Sequence, residues 1–537
     1  MQAFYLALIT SALIHLTCAQ FTDFLIVGGG TAGCVLASKL CVAFPNAHIT
    51  ILERGLPRSP QSDFLVHAPR KLFDVLGDRS VGEAITSLPD AGINGRTTVA
   101  LTGATLGGST TINGMQWTLP LPGTIEQWGV PNLTTASADP YFRRIYNKVG
   151  FGPPQNPLQY ADDYVSAGVQ AGFELNNNPF DTSTLRSIWQ TRLSIDSNFR
   201  RNDAYSAYLR PLLDNSCAKN VAVVQGATAS KIVFTQSTDS NTGATTVRAT
   251  GVDTVPSPGS THKAQRYWAR REVLVTAGPY NSPKLLQLSG VGTRAVLDAA
   301  GVAQVLELPV GEATVGRASG TIPSTYSGVP DEAANNITLV NSPEARQQWE
   351  AGLGGILSTP VSAANGRAGT DAYFGCTIVP FVPGPPELRS ACYHNTETTG
   401  YLRIRDSNPF SAPLLKNNFL SSQADVNRLK RCLENMADVH RQFPASFKMR
   451  FKYPPNGVVT EGYVRSVAQW GAHFVGGCAI GDVVTGEFKV KGCSGLRVID
   501  ASSIPTMPVS AGPMASVYLL AELMGDRLVE EYKGVLE

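Results

Sequence analysis

Phe24-Leu-Ile-Val-Gly28-Gly-Gly30-Thr-Ala-Gly33 is followed twenty residues later by Ile51-Leu-Glu53-Arg-Gly55. The four apolar residues read as a buried parallel strand, after which the chain turns on glycines into a helix. Gly28 permits the tight turn, Gly30 leaves no Cβ between the backbone and a pyrophosphate, and Gly33 lets helix and strand approach. A diphosphate would rest on the helix's first free N–H groups, at Thr31, Ala32 and their neighbours, where the helix dipole is positive. His48-Ile-Thr-Ile-Leu-Glu53 reads as a second strand ending in an acid placed to accept hydrogen bonds from an adenosine ribose. The unit is a βαβ with an ADP-shaped hole. NAD, NADP and FAD all carry that half, and the motif does not choose among them.

Upstream, Met1 to Ala19 is an apolar run broken only by Gln2, Thr10, Ser11, His15 and Thr17. It is short for a spanning helix and ends in the small residues Thr17-Cys-Ala19, so it reads as a signal peptide over 1–19 whose removal leaves Gln20 first. The n-region carries no Lys or Arg, which leaves an uncleaved tether as the other reading. The expected location is extracellular, with Asn132-Leu-Thr134 and Asn336-Ile-Thr338 as glycosylation sequons.

The 537 residues exceed one ordinary core, so two intertwined domains are expected. Charged residues make up 16% of the chain, against about 25% in typical domains, and the net charge is +2. Neither the balance nor any charge run points to nucleic acid, and no second apolar stretch could cross a membrane. Cys34, Cys41, Cys217, Cys376, Cys392, Cys432, Cys478 and Cys493 follow the leader without a CxxC pair. That pattern argues against a zinc or iron–sulfur site, so no metal is expected, and it allows disulfides whose pairing the sequence does not give.

Leu101-Thr-Gly103-Ala-Thr-Leu-Gly107-Gly108-Ser109-Thr-Thr-Ile-Asn113-Gly114 is dense in glycines and hydroxyls. It reads either as a surface Ω-loop or as a backbone nest that holds a second set of phosphate or flavin oxygens. Gly278-Pro-Tyr-Asn-Ser-Pro-Lys-Leu-Leu-Gln-Leu-Ser-Gly290-Val-Gly292 follows the buried strand Arg271 to Ala277. With these motifs the chain resembles the glucose–methanol–choline (GMC) family of FAD oxidoreductases. The resemblance extends through Arg201-Asn-Asp-Ala-Tyr-Ser-Ala-Tyr-Leu209 and Gly400-Tyr-Leu-Arg-Ile-Arg-Asp-Ser-Asn-Pro409 to Gly495-Leu-Arg-Val-Ile-Asp500-Ala-Ser, covering nearly the whole mature chain.

What the resemblance implies is an α/β fold: a Rossmann-like FAD-binding domain with an interleaved α+β substrate domain containing an antiparallel sheet. The FAD domain would comprise 20–130, 195–310 and 460–537, with a cap segment at 131–194 and the substrate domain at 311–459. Noncovalent FAD is implied, since Ile112 stands where flavin-linked members carry His. Its contacts would fall on Gly28, Gly30, Thr31, Ala32, Gly33, Glu53, Gly103, Gly107, Gly108, Ser109, Asn113, Gly114, Ala229, Gly278, Asp500, Ala501, Pro513 and Met514. Asp500 would meet the ribityl–phosphate part, and the final helix would aim its N-terminus at the flavin N1–O2 edge. Period-two alternation in Tyr401-Leu-Arg-Ile-Arg405 predicts a half-buried strand, and Val426, Leu429, Leu433, Met436 and Val439 after Ser422 predict a helix with one apolar face.

The resemblance makes His473, five residues before Cys478, the catalytic base; an imidazole with pKa near ~6.5 could take an alcohol proton. The family's usual second His or Asn falls on Gly512 in Pro505-Thr-Met-Pro-Val-Ser-Ala-Gly512, where no donor or acceptor exists; Ser510 or His394 would be substitutes. Losing one such contact typically lowers a rate on the order of a hundredfold. Three readings follow: oxidation of an alcohol or sugar hydroxyl, a hydroxynitrile lyase-like reaction on a cyanohydrin, suggested by the run after His473, and a flavin-binding secreted protein of low activity.

Overall fold

A computed structural model describes residues 21–238, 245–331, 335–370, 372–379, 386–510 and 512–536. The leader at 1–19 lies outside the described residues. Two eight-stranded sheets organise the chain. The first is built on strand Phe21–Val27, which runs parallel to Ile49–Glu53 on one side and to Gln265–Val275 on the other. Val221–Gln225 continues the parallel set beside Ile49–Glu53, and Ala227–Thr238 and Thr245–Pro256 add antiparallel strands beyond Gln265–Val275. Phe24, Leu25, Ile26, Ile51, Val273 and Leu274 are buried on both faces, as strands covered by helices must be. Helix Thr31–Ala43 packs against the terminal helix Met514–Leu536, and Lys39 pairs with Glu522 at 2.9 Å across that contact.

The second sheet is mainly antiparallel and runs from Val315–Thr325 through Glu387–Asn395, Ala372–Val379 and Ser362–Ala368 to Arg186–Gln190. Helix Gln423–Arg441 covers it, capped by the Ser422 hydroxyl on the Asp425 N–H, with Val426, Leu429, Leu433, Met436 and Val439 all buried. The spacing therefore located this helix and its face.

Three expectations change. The 131–194 segment divides: helix Thr135–Val149 packs Phe142 and Ile145 with Trp117 into the core of the first sheet, while Arg186–Gln190 joins the second. Residues after 460 do not return at once to the first sheet, because Gln469–Val475 pairs with Val315–Thr325. Strand Tyr401–Arg403 ends two residues early and pairs only with Leu414–Lys416; beyond it the Ile404 N–H donates to Gln287 Oε1, not to a strand.

Among the described residues two disulfides join Cys41 to Cys217 and Cys392 to Cys432, and Cys34, Cys478 and Cys493 are free thiols. Among the described residues no helix is long and apolar enough to cross a membrane.

Candidate active site

One cleft of about 1020 Å³ runs between the sheets, from Gly30, Glu53 and Ala229 at one end to His473, Trp470 and Tyr393 at the other. At the first end Gly28 has φ +105°, and a Cβ there would come within 2.7 Å of the Thr276 carbonyl oxygen. A Cβ on Gly33 would lie 2.1 Å from the Gly28 oxygen, so helix and strand meet only because this position has none. The loop Gly103 to Gly114 is not a surface loop. It folds over the turn so closely that a Cβ on Gly108 would lie 2.7 Å from the Gly30 Cα. The Gly107 N–H donates to the Gly29 oxygen at 2.8 Å, and the Ser109 hydroxyl, which accepts the Gly103 N–H at 3.1 Å, faces the cleft.

Of the expected cofactor positions, Gly33 and Gly107 stand behind the lining and permit close packing; the others border the cleft. Glu53 borders it too, while its carboxylate accepts the Gly29 and Gly55 N–H groups at 2.9 and 2.7 Å and so shapes the turn. Asp500 accepts from Gly278 N, Ser282 Oγ, Ser502 N and Ser502 Oγ at 2.6 to 2.9 Å. Those four donors fill a carboxylate's usual acceptor capacity, so its role here is to brace the start of helix Gly278–Leu288 against the tail. Burial raises its pKa, and those bonds oppose the rise.

These features fit a dinucleotide cofactor. The part of the cleft bordered by Gly30, Thr31, Ala32 and Gly108 would hold a diphosphate on the first N–H groups of helix Thr31–Ala43, which have no intrahelical acceptors. Pro513 and Met514 would bring the first turn of the terminal helix to the ring end, where Asn113 Nδ2 donates to Met514 Sδ at 3.0 Å.

His473 projects from a bulge. Strand Gln469–Val475 pairs Phe474 with Gly316 and Trp470 with Ala318, so three residues oppose the single Arg317. Ala472 in that bulge has φ +62°, a left-handed conformation costing an alanine about 1–2 kcal/mol. Nδ1 of His473 lies 3.2 Å from Arg317 Nη1. Burial first, and the Arg317 cation second, hold the imidazole well below its ordinary range, in contrast to the near-6.5 value expected from sequence.

Gly512 takes on a steric meaning: a Cβ there would lie 2.4 Å from His473 Nε2. The expected substitutes are engaged elsewhere. Ser510 Oγ donates to the Gly512 oxygen at 2.8 Å, and His394 Nε2 contacts Asp425 Oδ1 at 2.8 Å in the buried layer under helix Gln423–Arg441.

Sequence reasoning missed Arg201, Arg317, Tyr393, Gln116 and Ser362. Arg201 Nη1 donates to the Asn113 oxygen at 2.7 Å and to its Oδ1 at 2.9 Å, holding the end of the glycine loop. Gln116 Nε2 donates to Ser362 Oγ at 2.9 Å, and Tyr373 OH donates to Gln116 Oε1 at 3.1 Å, forming a polar wall. A lone Arg within the small-residue strand Val315-Gly-Arg317-Ala-Ser was the available signal for Arg317.

The GMC oxidoreductase N-terminal model matches residues 22–316 and the C-terminal model residues 396–521. The chain belongs to the GMC oxidoreductase family. It is similar to a dehydrogenase, mpl7, of Monascus purpureus, with 28% identity over 94% of this chain and 95% of that one. It is also similar to an oxygen-dependent choline dehydrogenase of Brucella ovis, with 27% identity over 90% and 91%. A structure of formate oxidase from Aspergillus oryzae superposes with a TM-score of 0.80 at 19% identity, covering 97% of this GMC oxidoreductase and 100% of that chain. This GMC oxidoreductase is an enzyme of an FAD-dependent family. Among its described residues no group of His, Cys, Asp and Glu could hold a metal.

Proposed function

We propose that this GMC oxidoreductase oxidises a CH–OH group of a small alcohol or sugar, with His473 as the side chain that meets the reacting oxygen. FAD, when bound, supplies the acceptor for the hydride. The observation that carries this reading is the continuity of one cleft from the glycine turn at Gly30 and Gly108 to His473. The chain's own residues do the rest: Arg317 and the bulge aim the imidazole, and Gln116, Ser362 and Tyr393 orient polar groups of the substrate. The cyanohydrin reading draws no support from the dehydrogenase and oxidase names of the relatives. The low-activity reading rests on Gly512, which supplies no donor or acceptor, and is favoured if the flavin is bound but no alcohol of the panel below reduces it.

Anaerobic addition of a panel containing choline, aryl alcohols and sugars should bleach the flavin band with at least one member. His473→Ala should retain flavin and lower the reduction rate about a hundredfold or more. A panel without bleaching, or an unimpaired His473→Ala, overturns the reading.

We also infer secretion with cleavage after Ala19. It is supported by two disulfides and by sequon residues Asn132 and Asn336, both exposed. N-terminal sequencing of protein from the medium should begin at Gln20; an intact Met1 there refutes the cleavage.

A further inference from the structure

The reacting end of the cleft holds few polar side chains, and most of them are committed to one another. Gln116 donates to Ser362 Oγ at 2.9 Å and accepts from Tyr373 OH at 3.1 Å, and Ser362 Oγ also lies 3.1 Å from Thr191 Oγ1. Asn113 accepts at Oδ1 from Arg201 and from the Met115 N–H, and its Nδ2 donates to Met514 Sδ. Gly512 has no side chain to offer. Tyr393 differs: it borders the cleft, and its hydroxyl is open and has no hydrogen-bond partner among the described residues.

Strand register explains where this phenol stands. On strand Glu387–Asn395, Tyr393 lies opposite Ser319 on one side and Tyr373 on the other. Arg317, two residues before Ser319, shares that face of the sheet because side chains alternate. The bulge that carries His473 opposite Arg317 therefore sets the imidazole beside the phenol, with ring centroids 5.9 Å apart at 46°. Tyr373 backs the phenol from a ring centroid 6.0 Å away. Rings at such a separation can present their polar atoms to one oxygen within ordinary hydrogen-bond distance.

Burial raises the Tyr393 pKa and the Arg317 cation opposes the rise, so the phenol keeps its proton through neutral pH. The other titratable groups packed against it are His473, from strand Gln469–Val475, and Tyr373, from strand Ala372–Val379. No carboxylate is among the groups that act on it.

We propose that Tyr393 is a catalytic residue whose hydroxyl donates a hydrogen bond to the alcohol oxygen that His473 deprotonates. This rests on the reading of the site as one that oxidises an alcohol. In that step His473 takes the hydroxyl proton, the carbinol C–H bond breaks with its hydrogen leaving as hydride to FAD, and the C–O bond becomes a carbonyl. The alcohol loses two electrons and the cofactor gains them. Negative charge builds on the oxygen before the hydride departs, and a donor already fixed there stabilises it. Gln116 and Ser362 could serve only by giving up a partner.

The test is stopped-flow reduction of the holoenzyme by an alcohol that bleaches the wild type. Tyr393→Phe removes one oxygen and keeps the ring. It should lower the limiting rate about a hundredfold, with flavin content unchanged and half-saturation shifted much less. An equal limiting rate overturns the proposal. Acidity separates a donor from a tyrosine that merely packs. With a fluorinated tyrosine in place of Tyr393, whose phenol ionises at lower pH, the alkaline limb of the limiting rate should move down with it, because an ionised phenol has no proton to donate. Arg317, Tyr373 and His473 are untouched by that exchange, so a limb that stays in place overturns the proposal. A panel in which no alcohol reduces the flavin overturns the oxidation reading and this role together. A reducible wild type beside an equally fast Tyr393→Phe overturns this role alone.

Discussion

At the scale of single residues, the site is governed by positions where a side chain would intrude. Gly512→Ala places a Cβ 2.4 Å from His473 Nε2, and the ring cannot retreat because Arg317 stands behind it. A shift of about 1 Å at a reacting group can cost on the order of a hundredfold. The expected result is a hundredfold lower rate of flavin reduction at unchanged flavin content, measured by stopped flow; a full rate would show that the ring has room. Gly108→Ala acts at the other end, since its Cβ would meet the Gly30 Cα at 2.7 Å. That variant should fold but lose flavin on purification, as read from the flavin-to-protein absorbance ratio. The glycines were legible in sequence because a turn, a helix start and an acid lie within one short segment. The pairing of His473 with Arg317 was not, because it joins residues 156 apart through a bulge that periodicity does not encode.

Among the elements, helix Gln423–Arg441 shows what a repeating pattern can and cannot announce. Its apolar stripe was readable from spacing alone, since every fourth or third residue must face the sheet. The stripe says nothing of His440 in the last turn, which is 2% exposed between two hydroxyls, with Nδ1 2.7 Å from Ser324 Oγ and Nε2 2.8 Å from Ser390 Oγ. Both serines arrive from strands far away in sequence, so only the fold reveals the environment. Burial lowers the His440 pKa to about 3. The unfolded chain binds a proton near ~6.5 that the folded chain refuses, so this stability is whole above that pH and falls as pH drops toward 3. Between pH 7 and 5 the wild type should lose about 2 kcal/mol more than His440→Asn, which has nothing to titrate there. Urea midpoints at the two pH values measure it, and parallel losses would contradict the burial argument.

For the whole molecule, the cleft is assembled from pieces at both ends of the chain, so anything that fills it ties those ends together. Helix Thr31–Ala43 carries the diphosphate turn at its start, is pinned near its end by Cys41–Cys217 across 176 residues, and lies against the terminal helix whose first residues border the ring end. The disulfide partners were hidden in sequence because their proximity follows from the parallel register of Ile49–Glu53 with Val221–Gln225. Replacing both cysteines by serine should lower stability by about 2–5 kcal/mol, seen as a fall in thermal midpoint with flavin content retained. Cofactor removal should act more broadly. A ligand that binds only the folded chain adds RT ln(1 + [L]/Kd), about 1.4 kcal/mol for each tenfold excess over Kd. Adding FAD back to deflavinated protein should therefore raise the midpoint in proportion to the logarithm of its concentration, with both sheets melting together. In Gly108→Ala the same rise should need far more FAD, because the new Cβ, 2.7 Å from the Gly30 Cα, would push apart the glycine turn that would seat the diphosphate. A midpoint indifferent to FAD in the unmodified protein would mean that the cleft between Gly30 and His473 is not where the flavin lies.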